Sequence, residues 1–474
     1  MSALTLVPVG HLPFDSFASI LPPERYALLL DSIGKSRKLL ADRVVWNVNS
    51  TATGGGVAEM LVSLLAYAHG AGVDARWVVI SGNDAFFTVT KRIHNQLHSA
   101  AGDGGQLGDA ERRVYEDALG RNIEALLRMV RPRDVVIVHD PQPAGLVPPL
   151  KERVGVPVVW RCHVGADVPT DLSRAAWCFL RPYVAPADAY VFSRRAFVWE
   201  GLDVAKIAVI APVIDAFSPK NQDLDAPSMA AILRVAGFDA EGDRSGEPTF
   251  RGFDGTPQRV TRRAEVWEEL ALGAGTPTVL QVSRWDRLKD PIGVLRGFAE
   301  HIAPHTDAHL VYAGPAVDAV ADDPEGAAVL AEARRFWRGL PAAARERVHL
   351  ACLPMQDAAE NAAIVNALQR RADVVVQKSL AEGFGLTVAE AMWKARPVVA
   401  SRIGGIQDQI ADGVSGMLVD PVDLGAFGAA VRDLLREPAR ARAMGREAQN
   451  RVADEFLAVR SLMQYLALIE KLVS

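Results

Sequence analysis

The sequence predicts an α/β protein built from two doubly wound, Rossmann-like domains facing across a cleft. Three observations carry that prediction. Short apolar runs such as Val374-Val375-Val376 alternate with stretches of helical periodicity, the pattern of a parallel sheet covered on both faces. The alternation runs through residues 44–212, breaks, and begins again at Thr278. At 474 residues the chain is also long for one hydrophobic core.

The first domain is expected over residues 1–216, with an N-terminal arm that carries a helix near Arg25–Leu40. Val44–Ser50 reads as a strand running into Thr51-Ala52-Thr53-Gly54-Gly55-Gly56. Val57, Met60, Leu61, Leu64, Leu65 and Ala68 then recur at helical spacing. Glycines at such a turn let backbone approach a ligand, and the helix N-terminus suits phosphate or an anionic transition state. A dinucleotide-binding fingerprint would need a third glycine where Glu59 stands, so that reading fails. Further strands are expected at Trp77–Ser81, Asp134–Asp140, Pro157–Val164, Ala189–Ser193 and Ala208–Pro212, with helices such as Ala110–Val130 between them. Ligand residues in open α/β sheets lie at the carboxyl ends of strands. Three polar clusters fall there: Asn49-Ser50, His139-Asp140-Pro141-Gln142 and Arg161-Cys162-His163.

Residues 217–275 hold many glycines and charges, and read as a linker or insertion. A second domain, 276–452, starts with the strand Thr278–Ser283 and continues through His309–Gly314, Val348–Leu353, Asp373–Ser379, Pro397–Arg402 and Gly416–Asp420. Arg284 and Lys289 leave the end of its first strand, where a guanidinium fork and an ammonium suit phosphate. Residues 453–474 read as a docking helix that packs back on the N-terminal domain.

The most informative stretch is Gln377–Glu390, a strand–loop–helix corner containing Gly383 and Gly385. Glu382 lies in its loop and Glu390 about one turn into its helix. The free N–H groups at a helix start suit a phosphate, and a carboxylate can accept two sugar hydroxyls. The combination suits a nucleotide sugar.

Composition narrows the class. Net charge is −5, which gives no electrostatic case for nucleic acid or an anionic membrane. Cys162, Cys178 and Cys352 are scattered, without metal-ligand spacing, which favours a reducing, cytoplasmic setting. The N-terminus lacks the basic and apolar regions of a signal peptide. There is no Asp-x-Asp at a strand end, so no metal or other cofactor is expected. A homodimer is the default for an oligomer.

Together these motifs resemble the retaining glycosyltransferases of family 4, with the two-Rossmann-domain (GT-B) fold, and most of all their trehalose-forming members. The resembling stretches are Val48–Thr51 with Gly54–Glu59, Phe86–Lys91, His139–Pro143, Trp160–His163, Gln281–Arg284 and Gln377–Lys394. The resemblance implies transfer of glucose from an ADP-, UDP- or GDP-glucose donor to the anomeric hydroxyl of glucose, without a metal. It implies that Arg284 and Lys289 hold the donor diphosphate and offset the leaving-group charge. Glu390 would take the ribose hydroxyls. Glu382 and the backbone of Gly383, Phe384, Gly385, Leu386 and Thr387 would grip the donor sugar and phosphate. His163 would stand near the donor glucose, and Gly55 and Gly56 against phosphate and acceptor. Asn49, Asp140 and Gln142 would read the acceptor. The catalytic set is then His163, Arg284, Lys289 and Glu382. In one departure from the family pattern, Gly165 stands at the second position after His163, where the family has aspartate.

Two other readings share these residues. A trehalose phosphorylase, or a transferase with another sugar or a cyclitol as acceptor, would use the same fold and basic pair. A non-catalytic sugar-nucleotide binder would need only some of the four charged groups.

Overall fold

Runs of valine, isoleucine and leucine become the strands of two seven-stranded sheets, because β-branched side chains suit a surface buried on both faces. The computed structural model describes residues 4–52, 56–239, 245–317 and 324–473. In chain order the strands are β1 (Leu4–Val7), β2 (Val44–Asn49), β3 (Asp74–Ile80), β4 (Val135–His139), β5 (Val158–Cys162), β6 (Ala189–Phe192), β7 (Ile207–Val209), β8 (Thr249–Arg251), β9 (Pro257–Arg259), β10 (Glu265–Trp267), β11 (Thr278–Val282), β12 (His309–Pro315), β13 (Val348–Leu353), β14 (Val374–Gln377), β15 (Val398–Ser401) and β16 (Met417–Val419).

The chain divides into two units, Met1–Val213 with Ala458–Ser474, and Ile214–Leu457. The first contains a sheet of order β1-β3-β2-β4-β5-β6-β7, parallel except for the edge strand β1. Its order reverses between β2 and β4, where parallel register sets Val48 beside Val138. Such a switch point leaves a crevice at the carboxyl ends of the two strands. Trp46, Trp160, Phe192 and Tyr115 are fully buried in the core on this sheet. The helix Ala458–Val473 packs on the helices Pro23–Leu39 and Gly56–Gly70. Among them lies a mostly apolar cavity of about 110 Å³, also lined by Asn47, His139 and Tyr465.

The second unit contains a sheet of order β10-β13-β12-β11-β14-β15-β16, parallel except for the edge strand β10. Its order reverses between β11 and β14. Trp285 stacks on Tyr312 at 5.1 Å in its core.

Residues 217–275, read from composition as linker or insertion, carry the helix Ala226–Ala236, the β8–β9 hairpin and β10. Side chains of the helix Ala358–Arg371 hold this segment. The buried Glu360 carboxylate accepts from the N–H of Thr261 and, at 2.6 Å, from that of Arg262. Asn366 Nδ2 donates to the carbonyls of Pro219 and Gln222. Among the described residues no helix is long and apolar enough to cross a membrane.

Candidate active site

The second unit holds most of the expected donor residues at its switch point. β14 ends at Gln377, and the loop after it turns into the helix Leu386–Trp393. Gly385 caps that helix with φ 82°. Glycine is needed there, because L side chains avoid this conformation and a Cβ would lie 3.0 Å from Ile406 Cγ1. Gly404, in the loop after β15, has φ 47°, and a Cβ there would lie 1.8 Å from the Glu382 carbonyl oxygen. The two loops are bonded together. Gly405 N donates to the Gly383 carbonyl at 3.0 Å, and Gln409 Nε2 donates to the Phe384 carbonyl at 2.5 Å.

Gln281, fully buried on β11, fixes the two loops that carry charge. Its Oε1 accepts from the Lys378 N–H at 3.0 Å, and its Nε2 donates to the Lys289 carbonyl at 2.9 Å. Lys289 Nζ then donates to Glu382 Oε2 at 2.5 Å. Glu382 Oε2 also accepts from Ser379 Oγ at 3.3 Å. Ser379 in turn accepts from Gln377, whose Oε1 accepts from Thr387 Oγ1 at 2.8 Å. A single polar chain thus runs from the basic loop to the first turn of the helix. Lys378 is buried and pairs with Asp290. Arg284, half exposed, contacts Asp286 at 3.1 Å.

Glu390 is buried one turn along the helix, with Lys220 Nζ 3.6 Å from its Oε1. Lys220 was not legible as a site residue, since it opens the segment read as a linker. The Gly404-Gly405 pair was also missed, although two adjacent glycines in the loop after a strand are a signal of close backbone approach.

In the first unit, His139, Asp140 and His163 come together at the carboxyl ends of β4 and β5. The imidazoles of His139 and His163 lie edge to edge and nearly coplanar, with centroids 5.5 Å apart and His139 Nδ1 3.2 Å from His163 Nε2. His139 Nε2 lies 3.0 Å from Asn47 Oδ1. Burial pushes His139 down to about 3, helped by the Arg161 guanidinium, and pushes His163 well down for the same reasons. Asp140 takes a positive φ of 67°, and its Oδ1 accepts from the His163 N–H at 2.7 Å. Burial raises Asp140 to about 6, against the pull of that N–H and of Arg161.

The other expected residues of this unit are placed differently. Asn49 uses both ends of its amide, accepting from Trp77 Nε1 at 2.8 Å and donating to the Thr51 carbonyl at 2.7 Å. Gln142 is half-buried in the loop after Asp140. Gly56 is exposed and opens the helix Gly56–Gly70, while Gly55 lies outside the described residues. Gly165 packs so tightly on Phe197 that a Cβ would lie 2.4 Å from its Cγ. That contact accounts for glycine where a side chain was expected. Asp167, two residues on, pairs with Arg194.

Comparison with known proteins agrees with this division. The family model "Trehalose synthase, N-terminal domain" matches residues 47–199, and "Glycosyl transferases group 1" matches residues 263–451. The chain is 36% identical to a trehalose synthase of Rubrobacter xylanophilus over 98% of both chains. It is 34% identical to a trehalose synthase of Thermococcus litoralis over 93% of both. The crystal structure of a UDP-forming α,α-trehalose-phosphate synthase from Burkholderia xenovorans, in complex with glucose-6-phosphate, superposes with a TM-score of 0.66. That match covers 91% of this chain and 100% of the other at 15% identity, a likeness of fold.

Proposed function

The chain belongs to the group 1 glycosyl transferases that carry a trehalose synthase N-terminal domain, and from that premise we propose that it moves glucose from a nucleoside-diphosphate glucose to the anomeric hydroxyl of glucose, giving trehalose with retention. The observation that carries this reading is the contact of Lys289 with Glu382 at the start of the helix that bears Glu390. An ammonium, a helix N-terminus and two carboxylates in one corner offer charge to a diphosphate and acceptors to sugar hydroxyls.

In this reading the bond from the glucose anomeric carbon to the diphosphate oxygen breaks through an oxocarbenium-like state. The new bond forms to the acceptor's anomeric oxygen on the same face. The acceptor proton passes to the departing diphosphate oxygen. Arg284, Lys289 and the N–H groups of Leu386 and Thr387 at the helix start stabilise the charge that develops on the leaving group, often the largest catalytic term. Glu382 takes donor-sugar hydroxyls and Glu390 the ribose. His163 attends the donor glucose, and Asp140 reads the acceptor.

The test is incubation of the protein with ADP-, UDP- and GDP-glucose, each with and without glucose, with products identified by NMR. The expected result is glucose-dependent release of nucleoside diphosphate together with an α,α-1,1 disaccharide. Formation of glucose 1-phosphate from trehalose and phosphate, without turnover of any nucleotide sugar, would overturn it in favour of a phosphorylase. A second reading keeps the donor and changes the acceptor; it rests on Gly165, which offers no carboxylate where the family has aspartate. Turnover with another sugar or a cyclitol, but not with glucose, would establish that reading.

A further inference from the structure

The reaction reading above assigns His163 to the donor but leaves its hydrogen-bonded neighbour, His139, without a task. His139 lies on β4 and is 2% exposed; Asn47 lies on β2 and is 3% exposed. The three side chains form a line: Asn47 Oδ1 to His139 Nε2 at 3.0 Å, then His139 Nδ1 to His163 Nε2 at 3.2 Å. Hydrogen-bond chemistry gives this line a direction. An amide oxygen only accepts, so His139 Nε2 carries the hydrogen. A neutral imidazole carries one hydrogen, so His139 Nδ1 offers a lone pair. His163 Nε2 must then donate to it, and His163 Nδ1 is left bare.

We propose that His139 is a positioning residue that, braced by Asn47, holds His163 as the Nε2–H tautomer and leaves its Nδ1 lone pair for a hydroxyl of the donor sugar. The tautomer follows from Asn47 presenting its amide oxygen, and not its amide nitrogen, to His139 Nε2; its use rests on the reading of His163 as a donor-sugar contact. Without the brace both tautomers become available, and an Nδ1–H form donates to the sugar hydroxyl instead of accepting from it, which turns the hydroxyl hydrogen away from the ring. The two rings lie edge to edge and nearly coplanar, 14° between planes, so the hydrogen bond runs in the plane of both and His139 fixes both the hydrogen and the angle of its neighbour. Such an orienting partner recurs wherever histidine acts at one ring nitrogen.

The experiment is long-range ¹H–¹⁵N NMR on histidine-labelled full-length protein, with His163 assigned from the His163→Gln spectrum. The expected result is a protonated Nε2 and a bare Nδ1 on His163. Asn47→Asp keeps an acceptor against His139 and should preserve that pattern and most turnover. Asn47→Leu removes the acceptor and should mix the tautomers and lower kcat roughly 10–100-fold, the range for losing an orienting partner. His139→Gln, whose side-chain oxygen can still accept from His163 Nε2–H, should recover part of what His139→Leu loses. An Nδ1–H tautomer in the unsubstituted protein overturns the proposal, as does an Asn47→Leu spectrum identical to it. If the tautomers behave as stated while no nucleotide sugar turns over, the positioning role stands and the donor reading falls.

Discussion

Lys289 Nζ sits 2.5 Å from Glu382 Oε2, so the cation proposed for a diphosphate and the carboxylate proposed for a sugar are already joined to each other. Both are largely buried, with side chains 16% and 11% exposed. The pair keeps each charge satisfied without substrate, and a donor would have to divide it. Lys289→Ala should therefore lower kcat by ~10²–10³, the effect of removing one preorganised group at a developing negative charge. Initial rates of nucleoside diphosphate release check this. A fall of less than threefold would remove Lys289 from the chemistry.

Gly404→Ala should damage the same corner through the backbone. The added Cβ would lie 1.8 Å from the Glu382 carbonyl oxygen, at a φ of 47° that alanine also resists. A backbone atom cannot swing away as a side chain can. A loss of at least ~1–3 kcal/mol in urea denaturation is expected, with weaker donor binding. Gly413→Ala is the control: it shares a positive φ of 75° but has open space around it, so its cost should be smaller.

Acidification should destabilise the first unit. His139, pushed down to about 3, and His163, also pushed down, stay neutral in the folded protein while the unfolded chain takes up protons below about 6.5. Each therefore loses stability as pH falls from 6.5. Asp140 is raised to about 6, so between about 4 and 6 the folded protein holds a proton the unfolded chain has lost. That contribution has the opposite sign, and two histidines outweigh it. Urea midpoints at pH 7 and pH 5 measure the balance. Catalysis should respond separately: kcat/KM for the acceptor should fall as pH drops through about 6, and Asp140→Asn should remove that limb.

Transfer should survive excess chelator. The proposed leaving-group charge meets Arg284, Lys289 and a helix N-terminus, cationic groups that supply what a divalent ion would. Full activity in EDTA is the expected outcome, and abolition restored by added Mg²⁺ or Mn²⁺ would contradict it.

The sheets were legible because fully buried parallel strands read as unbroken apolar runs, as in Val374–Val376 and Val135–Val138. The two antiparallel edge strands, β1 and β10, were not. β1 is mostly outside the core, and β10 has only three residues, one of them Glu265. Neither carries enough apolar signal to separate it from a loop. The segment 217–275 lacked that signal too, because polar side chains of a distant helix, Glu360 and Asn366, hold it. The strand–loop–helix corner Gln377–Glu390 was legible because its residues are neighbours in sequence. Lys220 beside Glu390 and Asn47 beside His139 are contacts between distant positions, which no local pattern encodes.

The first unit is interrupted: its closing helix, Ala458–Val473, follows the whole of the second unit in the chain. On the ribosome, the helices Pro23–Leu39 and Gly56–Gly70 are therefore made long before their partner exists. Leu29, Leu61 and Leu65, buried around the cavity in the finished fold, wait uncovered while residues 214–457 are translated. At about 5–20 residues per second that wait lasts roughly tens of seconds. The contiguous second unit can mature as it is made, whereas the unit that carries His139 and His163 is completed only once residues 458–473 follow. Nascent-chain chaperones should accordingly engage the first unit and leave the second alone.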